Sequence, residues 1–226
     1  MLIRTLGAVD PELASWNDRM YEAHPTPYER GLAGMVESRR AQAVLELARI
    51  QPSDAVLEVG CEAGRLLSRV PPARRVAGAD ISRRALEDAA ARFERLGRAV
   101  ELFQVDALQG LPFERGEFDV ILCSEMLEHV DHPEFVIAHL HALATAQTRV
   151  VVSVPIEAPK VRVKAMLHRV GLLDRLFPHI EPGQSEWHVH AFSGAMLREV
   201  TQTRFETLAR RRVLFAHEVA LLRARP

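Results

Sequence analysis

Three acidic residues recur along this 226-residue chain at intervals of twenty-odd positions, Glu58, Asp80 and Asp106. Each stands at or near the end of a short apolar run, and such runs read as buried strands. In an open parallel sheet, ligands bind beyond the carboxyl ends of the strands. A carboxylate after the second run can accept hydrogen bonds from two ribose hydroxyls, and one after the third can accept from an adenine amino group. The first run leads into Gly60-Cys-Glu-Ala-Gly64. A glycine turn lets the backbone approach a ligand closely, and the helix after it offers free N–H groups to a carboxylate.

A second constellation follows the fourth run. Glu125, Glu128 and His129 stand at i, i+3 and i+4, so one helical turn would put all three on one face. Carboxylates and an imidazole on one face suit a hard divalent cation, Mg²⁺ or Mn²⁺. His129 alone suits a general base. His188 and His190, in Trp187-His-Val-His-Ala-Phe192, are the downstream histidines that could complete a metal set or touch substrate.

The elements that must position these residues alternate between strand and helix. A short helix and an irregular arm precede a helix from Met35 to Ile50, which Gln51-Pro52-Ser53-Asp54 ends. Strands are predicted at 55–60, 75–80, 100–106, 118–124 and 149–154, with a short helix through Leu66 and Leu67 after the first. Ser82 can N-cap a helix bearing Leu86, Ala89, Phe93 and Leu96, which Gly97 can end. Pro133 opens another helix. Ser193 caps one with Phe192 and Leu197 as a hydrophobic staple. Two strands, 205–213 and 215–223, close the sequence. Repeated βα units imply a parallel sheet covered on both faces.

Composition narrows the partners. Apolar residues make up 48% and charged residues 26%, values of a folded domain. The formal net charge of −1 argues against a protein that tracks a nucleic-acid backbone. No apolar run reaches membrane-spanning length, and Met1-Leu2-Ile3-Arg4 leads into no signal-peptide core. Cys61 and Cys123 cannot supply a disulfide framework, which fits a cytoplasmic location.

Val56-Leu-Glu-Val-Gly-Cys-Glu-Ala-Gly64, Gly78-Ala-Asp-Ile-Ser82, Gln104-Val-Asp-Ala107 and Phe118 to Val130 together resemble the motifs of class I methyltransferases that use S-adenosylmethionine (SAM). A nicotinamide Rossmann motif would need glycine at positions occupied by Glu62 and Arg65, so that reading fails on spacing. The resemblance implies an α/β, Rossmann-like fold. Its sheet has seven mostly parallel strands in the order 3-2-1-4-5-7-6, with strand 7 antiparallel. It implies cofactor contacts from Glu58, Gly60, Cys61, Gly64, Asp80, Ile81, Asp106, Ala107 and Ser124. The E-x-x-E-H pattern is similar to that of ubiquinone-pathway O-methyltransferases and of small-RNA 2′-O-methyltransferases, in which metal assists transfer. Glu125, Glu128, His129 and His188 are the corresponding candidates here.

One residue departs from the family pattern. Glu62 stands where a glycine is usual, and restoring glycine is expected to keep or improve SAM affinity. The whole chain reads as one methyltransferase domain. Residues 1–50 form a helical arm, 54–154 the SAM-binding core, 156–192 an acceptor-binding lid, and 193–226 a final helix and strands. The lid carries a basic amphipathic stretch from Lys160 to Phe177 that could touch a membrane surface, although a helix covering the core is the preferred reading. The expected acceptor is a small molecule methylated at oxygen. An RNA 2′-O-methyltransferase and a non-catalytic SAM-binding protein of the same fold are the alternatives.

Overall fold

The computed structural model describes residues 2–23, 31–156, 166–169, 171–172 and 189–226, with 31–33 in backbone only. Its strands are β1 (Ile3–Thr5), β2 (Ala55–Val59), β3 (Arg75–Asp80), β4 (Glu101–Gln104), β5 (Val120–Ser124), β6 (Arg149–Pro155), β7 (Phe205–Val213) and β8 (His217–Ala224). The helices are α1 (Pro11–Ala23), α2 (Gly31–Ala48), α3 (Arg83–Arg95), α4 (Pro133–Leu143) and α5 (Gly194–Thr201).

The sheet has eight strands in the order β1-β4-β3-β2-β5-β6-β8-β7. The predicted count of seven is therefore corrected. The added strand is β1, which pairs parallel to β4 and places Ile3 opposite Leu102. Three residues with one partly buried apolar side chain carry no periodic signal, so sequence pattern cannot reveal them. Counted from Ala55, the other seven strands run 3-2-1-4-5-7-6, and the last in sequence, β8, is antiparallel to both its neighbours.

Alternation along β2 divides the core. Leu57 and Val59 join Val136, Ile137 and Leu140 of α4, Phe192 just before α5 and Leu197 within it on one face. Val56 joins Ala41, Val44 and Ala48 of α2 and Leu86, Ala89 and Phe93 of α3 on the other. Deleting a fully buried ring such as Phe93 would cost about 3–5 kcal/mol.

The capping residues act as their types dictate. Ser82 Oγ accepts from Ala85 N at 3.0 Å, and Ser193 Oγ accepts from Met196 N at 3.2 Å. Gly97, at φ 61°, turns the chain out of α3. After β2 only a single 3₁₀ turn forms, Leu67–Arg69, because Pro71 holds Val70 extended. The start of β8 lies two residues later than predicted, since Leu214 and Phe215 take positive φ values of 46° and 59° in the β7–β8 turn. Most of the 156–192 segment, including Lys160 and Trp187, falls outside the described residues; 166–169 form one helical turn.

Candidate active site

The parallel strands β2, β3 and β5 end side by side, and the turn after β2 is folded tightly over β3. Gly60 N and Cys61 N both donate to Ala79 O, at 2.8 and 3.1 Å. Gly60 has φ 74°, and a Cβ there would lie 2.8 Å from Met126 Cγ, so only glycine fits beneath the loop after β5. Gly64, at φ 66°, lets the turn sit against α3, where an added Cβ would come within 3.2 Å of Phe93. The Cys61 thiol packs into the core against Gly78, and burial pushes it well up from its ordinary value. Its side chain therefore faces away from the site, and its backbone alone can meet a ligand.

Glu62 does take positive φ, at 46°. A non-glycine residue in that region costs about 1 kcal/mol. Its backbone N–H donates to Asp80 Oδ2 at 2.8 Å, while Asp80 Oδ1 accepts from Ser82 N at 2.9 Å. Burial raises Asp80 from the usual carboxylate range, and these backbone donors oppose the rise. Ile81, beside it, offers its carbonyl to Gln104 Nε2 at 3.1 Å.

Two carboxylates in the series have an unused buried oxygen. Asp106 Oδ1 accepts from Leu108 N at 2.9 Å, but Oδ2 has no protein partner. Glu58 is 3% exposed with Oε2 unpartnered, and burial pushes its carboxyl up to about 8 despite the nearby Arg40. An unpartnered buried acceptor is costly, and it implies a donor supplied from outside the chain. The carbonyl of Ala107 accepts from His139 Nδ1 at 2.9 Å, which makes His139 a packing residue.

Sequence reasoning missed a polar chain at the ends of β5, β6 and β8. Arg40 of α2 is buried, pairs with Glu37 at 2.7 Å and donates to Ser124 Oγ. Ser124 meets Ser153 Oγ at 2.7 Å, and Ser153 donates to Glu125 Oε1 at 3.0 Å. Glu125 Oε2 lies 2.9 Å from Nδ1 of the buried His217. Burial works against charge on Arg40, but Glu125, Glu37 and Glu58 outweigh it and hold the guanidinium ionised. The available signals were a charged residue on the apolar stripe of α2 and one serine in the otherwise apolar run Val150–Val154. His217 had no signal.

The predicted helical face is not formed. Glu125 has φ 53°, outside any helix, and only Leu127–His129 make a 3₁₀ turn. Glu125 therefore turns toward β6 and β8, Glu128 is buried, and His129 stays partly exposed with Nε2 3.9 Å from Glu128 Oε1. Among the described residues no three His, Cys, Asp or Glu side chains converge as a metal site. His188 lies outside the described residues. His190 is fixed beside the same loop, its N–H on Glu128 O at 3.2 Å and its ring Nε2 3.1 Å from Asp131 O.

Residues 57–150 match the methyltransferase domain family, within a Rossmann-like, mostly parallel sheet. The ubiquinone biosynthesis O-methyltransferase of Pseudomonas paraeruginosa is 38% identical over 125 residues, which is 54% of this chain and 53% of that protein. The chain spans between about a third and about half the length of the curated relatives it matches. Among solved structures, N-methyltransferase NodS from Bradyrhizobium japonicum bound to S-adenosyl-L-homocysteine (SAH) superposes with a TM-score of 0.61 at 18% identity, covering 95% of this chain and 96% of NodS. The [4+2]-cyclase SpnF superposes at 0.72 with 14% identity, covering 98% of both chains. Identities this low establish the shared fold, and that fold hosts more than one reaction. No helix among the described residues is long and apolar enough to cross a membrane.

Proposed function

We propose that this chain is a SAM-dependent methyltransferase that alkylates an oxygen of a small-molecule acceptor. The observation that carries the reading is the buried, unpartnered Oδ2 of Asp106, one strand away from Asp80 and two from the glycine turn. An adenine amino group is a donor that such an oxygen accepts, and Asp80 is positioned for the ribose diol once its own backbone donors share it. Glu58 and the 60–64 turn face the methionine end, with Arg40 as a cation for its carboxylate. When bound, SAM supplies the electrophilic methyl group.

The chain's own task is then alignment and proton removal. Ser124 ends β5 and Glu125 follows it, on the side of the sheet where the acceptor would lie. With SAM bound, His129, partly exposed beside Glu128, would take the proton of the acceptor hydroxyl that is methylated. Preference for oxygen rests on the named activity of the P. paraeruginosa relative. Calorimetric titration with SAM, followed by mass spectrometry of small hydroxylated compounds incubated with protein and SAM, tests the reading. Absence of SAM binding overturns it. Binding without any methylated product would instead favour a non-catalytic protein of this fold.

A further inference from the structure

Of the 13 residues of α1 only Ala14 is buried, so apolar packing does little to hold this helix in place. Asp18, Tyr21 and Glu22, at i, i+3 and i+4, share the face that meets α3. Tyr21 Oη donates to Asp88 Oδ2 at 2.7 Å, and Glu22 pairs with Arg84 at 3.3 Å. Asp18 reaches the turn between β3 and α3. Its Oδ1 accepts from Ser82 Oγ at 2.6 Å and from Arg84 N at 3.1 Å. Ser82 Oγ in turn accepts from Ala85 N at 3.0 Å, and the Ser82 N–H donates to Asp80 Oδ1 at 2.9 Å. One buried serine thus joins Asp18 of α1 to Asp80 of β3.

We propose that Asp18 is a positioning residue for cofactor binding: acting through Ser82, it fixes Asp80 for the ribose hydroxyls. The proposal rests on Asp80 being the ribose ligand. Ser82 is 4% exposed, so its hydroxyl proton needs an acceptor within the fold, and Asp18 provides it. With the proton directed at Asp18, the same oxygen is left to accept from Ala85 N, and the 80–82 turn has one arrangement that satisfies Ser82. Without Asp18 the hydroxyl loses its acceptor, and a buried donor left unmatched is costly enough to shift the turn. Asp80 Oδ1 is held by the Ser82 N–H and moves with it. Adenine and the methionine end meet other segments, so a displaced Asp80 costs ribose contacts in particular. Asp18 also adds like charge to Asp80, so its useful property is the acceptor oxygen and not the charge.

Calorimetric titration with SAH and with its 2′-deoxy analogue tests the proposal. The unaltered chain should favour SAH by about tenfold, the worth of one hydrogen bond to a carboxylate. Asp18→Ala should reduce that preference by about three- to tenfold, as coupling within one hydrogen-bond network does. Because α1 lies outside both core clusters, the variant should remain folded. Asp18→Asn keeps an acceptor oxygen and should restore most of the preference. Tyr21→Phe loosens α1 without touching Ser82 and should leave the preference as it is in the unaltered chain. An unchanged preference in Asp18→Ala, an equal loss of both ligands there, or a Tyr21→Phe effect as large overturns the proposal while the ribose assignment of Asp80 stands. An unaltered chain that binds both ligands equally removes Asp80 from the ribose, and the role of Asp18 with it. If it binds neither, the cofactor assignment itself falls and takes the proposal with it.

Discussion

Asp80 Oδ2 accepts the backbone N–H of Glu62 at 2.8 Å, which ties the end of β3 to the turn that follows β2. One carboxylate therefore shapes the glycine turn and, in the proposed function, would also bind the cofactor ribose. Asp80→Ala removes both contributions. Charge-assisted hydrogen bonds are worth about 1.5–3 kcal/mol, so SAM affinity should fall at least roughly tenfold. The melting temperature should drop as well, since Glu62 N and Ser82 N lose their acceptor. An unchanged dissociation constant in folded protein would remove Asp80 from the site.

Asp106 should behave differently. Oδ2 is buried and unpartnered, so Asp106→Asn exchanges an uncompensated acceptor for an amide of the same size. Stability should hold or rise, while affinity for SAM falls by about three- to tenfold as an adenine contact is lost. Differential scanning calorimetry and SAM titration of the same sample separate the two effects. A mutant that unfolds without ligand loss would make Asp106 a purely structural turn residue.

Glu58 gives a pH dependence of defined sign. Burial pushes its folded-state carboxyl up to about 8, far above the unfolded value of about 4.3. The folded protein thus binds more protons than the unfolded chain between those values, and stability must decline as pH rises through that window and level off above it. A cation brought beside Glu58 lowers its proton affinity, so SAM binding near pH 7 should release protons. Titrations in buffers of different ionisation enthalpy measure that release. Proton uptake, or none, would mean the cofactor's charge lies elsewhere.

Arg40 is the cation that Glu37 and the Ser124–Ser153–Glu125 chain converge upon. Arg40→Met removes it and leaves buried carboxylates uncompensated, a change that typically costs about 3–5 kcal/mol. Denaturant unfolding should show this loss, and SAM binding should weaken even at temperatures where the variant stays folded. Arg40→Lys keeps the charge and should recover part of the stability.

The turned-away Glu125 bears on metal use. With Glu125 on His217 and Ser153 and Glu128 buried, turnover is expected to survive EDTA. Loss of activity with EDTA and its recovery with Mg²⁺ or Mn²⁺ would require the 125–129 loop to rearrange around an ion. Glu125→Gln should in either case lower activity, because it breaks the polar chain at the acceptor end of the site.

What the sequence revealed followed from periodicity and from the order of motifs. Ser82, Pro133 and Ser193 announce their helices because capping is local, and the apolar strands 55–59 and 149–155 announce a parallel sheet. Asp80 and Asp106 could be placed because a strand end fixes where a side chain must lie. Glu125, Glu128 and His129 were misplaced for the opposite reason. An i, i+3, i+4 spacing implies one face only where the backbone is helical throughout, and a single left-handed residue at Glu125 breaks that condition. Arg40, Ser153 and His217 lie far apart in sequence and meet only through the crossing of α2, β6 and β8, which no local pattern encodes.

The two rims of the sheet are protected by unlike means. On one side, Ile3–Thr5 occupy the hydrogen-bonding groups of β4 that would otherwise face outward. On the other, β7 carries an irregularity between Thr207 and Ala209, followed by Arg210, Arg211 and Arg212. Kinked, charged edges resist pairing with another chain, whereas a bare flat edge invites it. Removing the first six residues would therefore leave the cofactor-facing end of the fold untouched and still make the protein prone to self-association along β4. Light scattering during mild heating would show it as earlier aggregation.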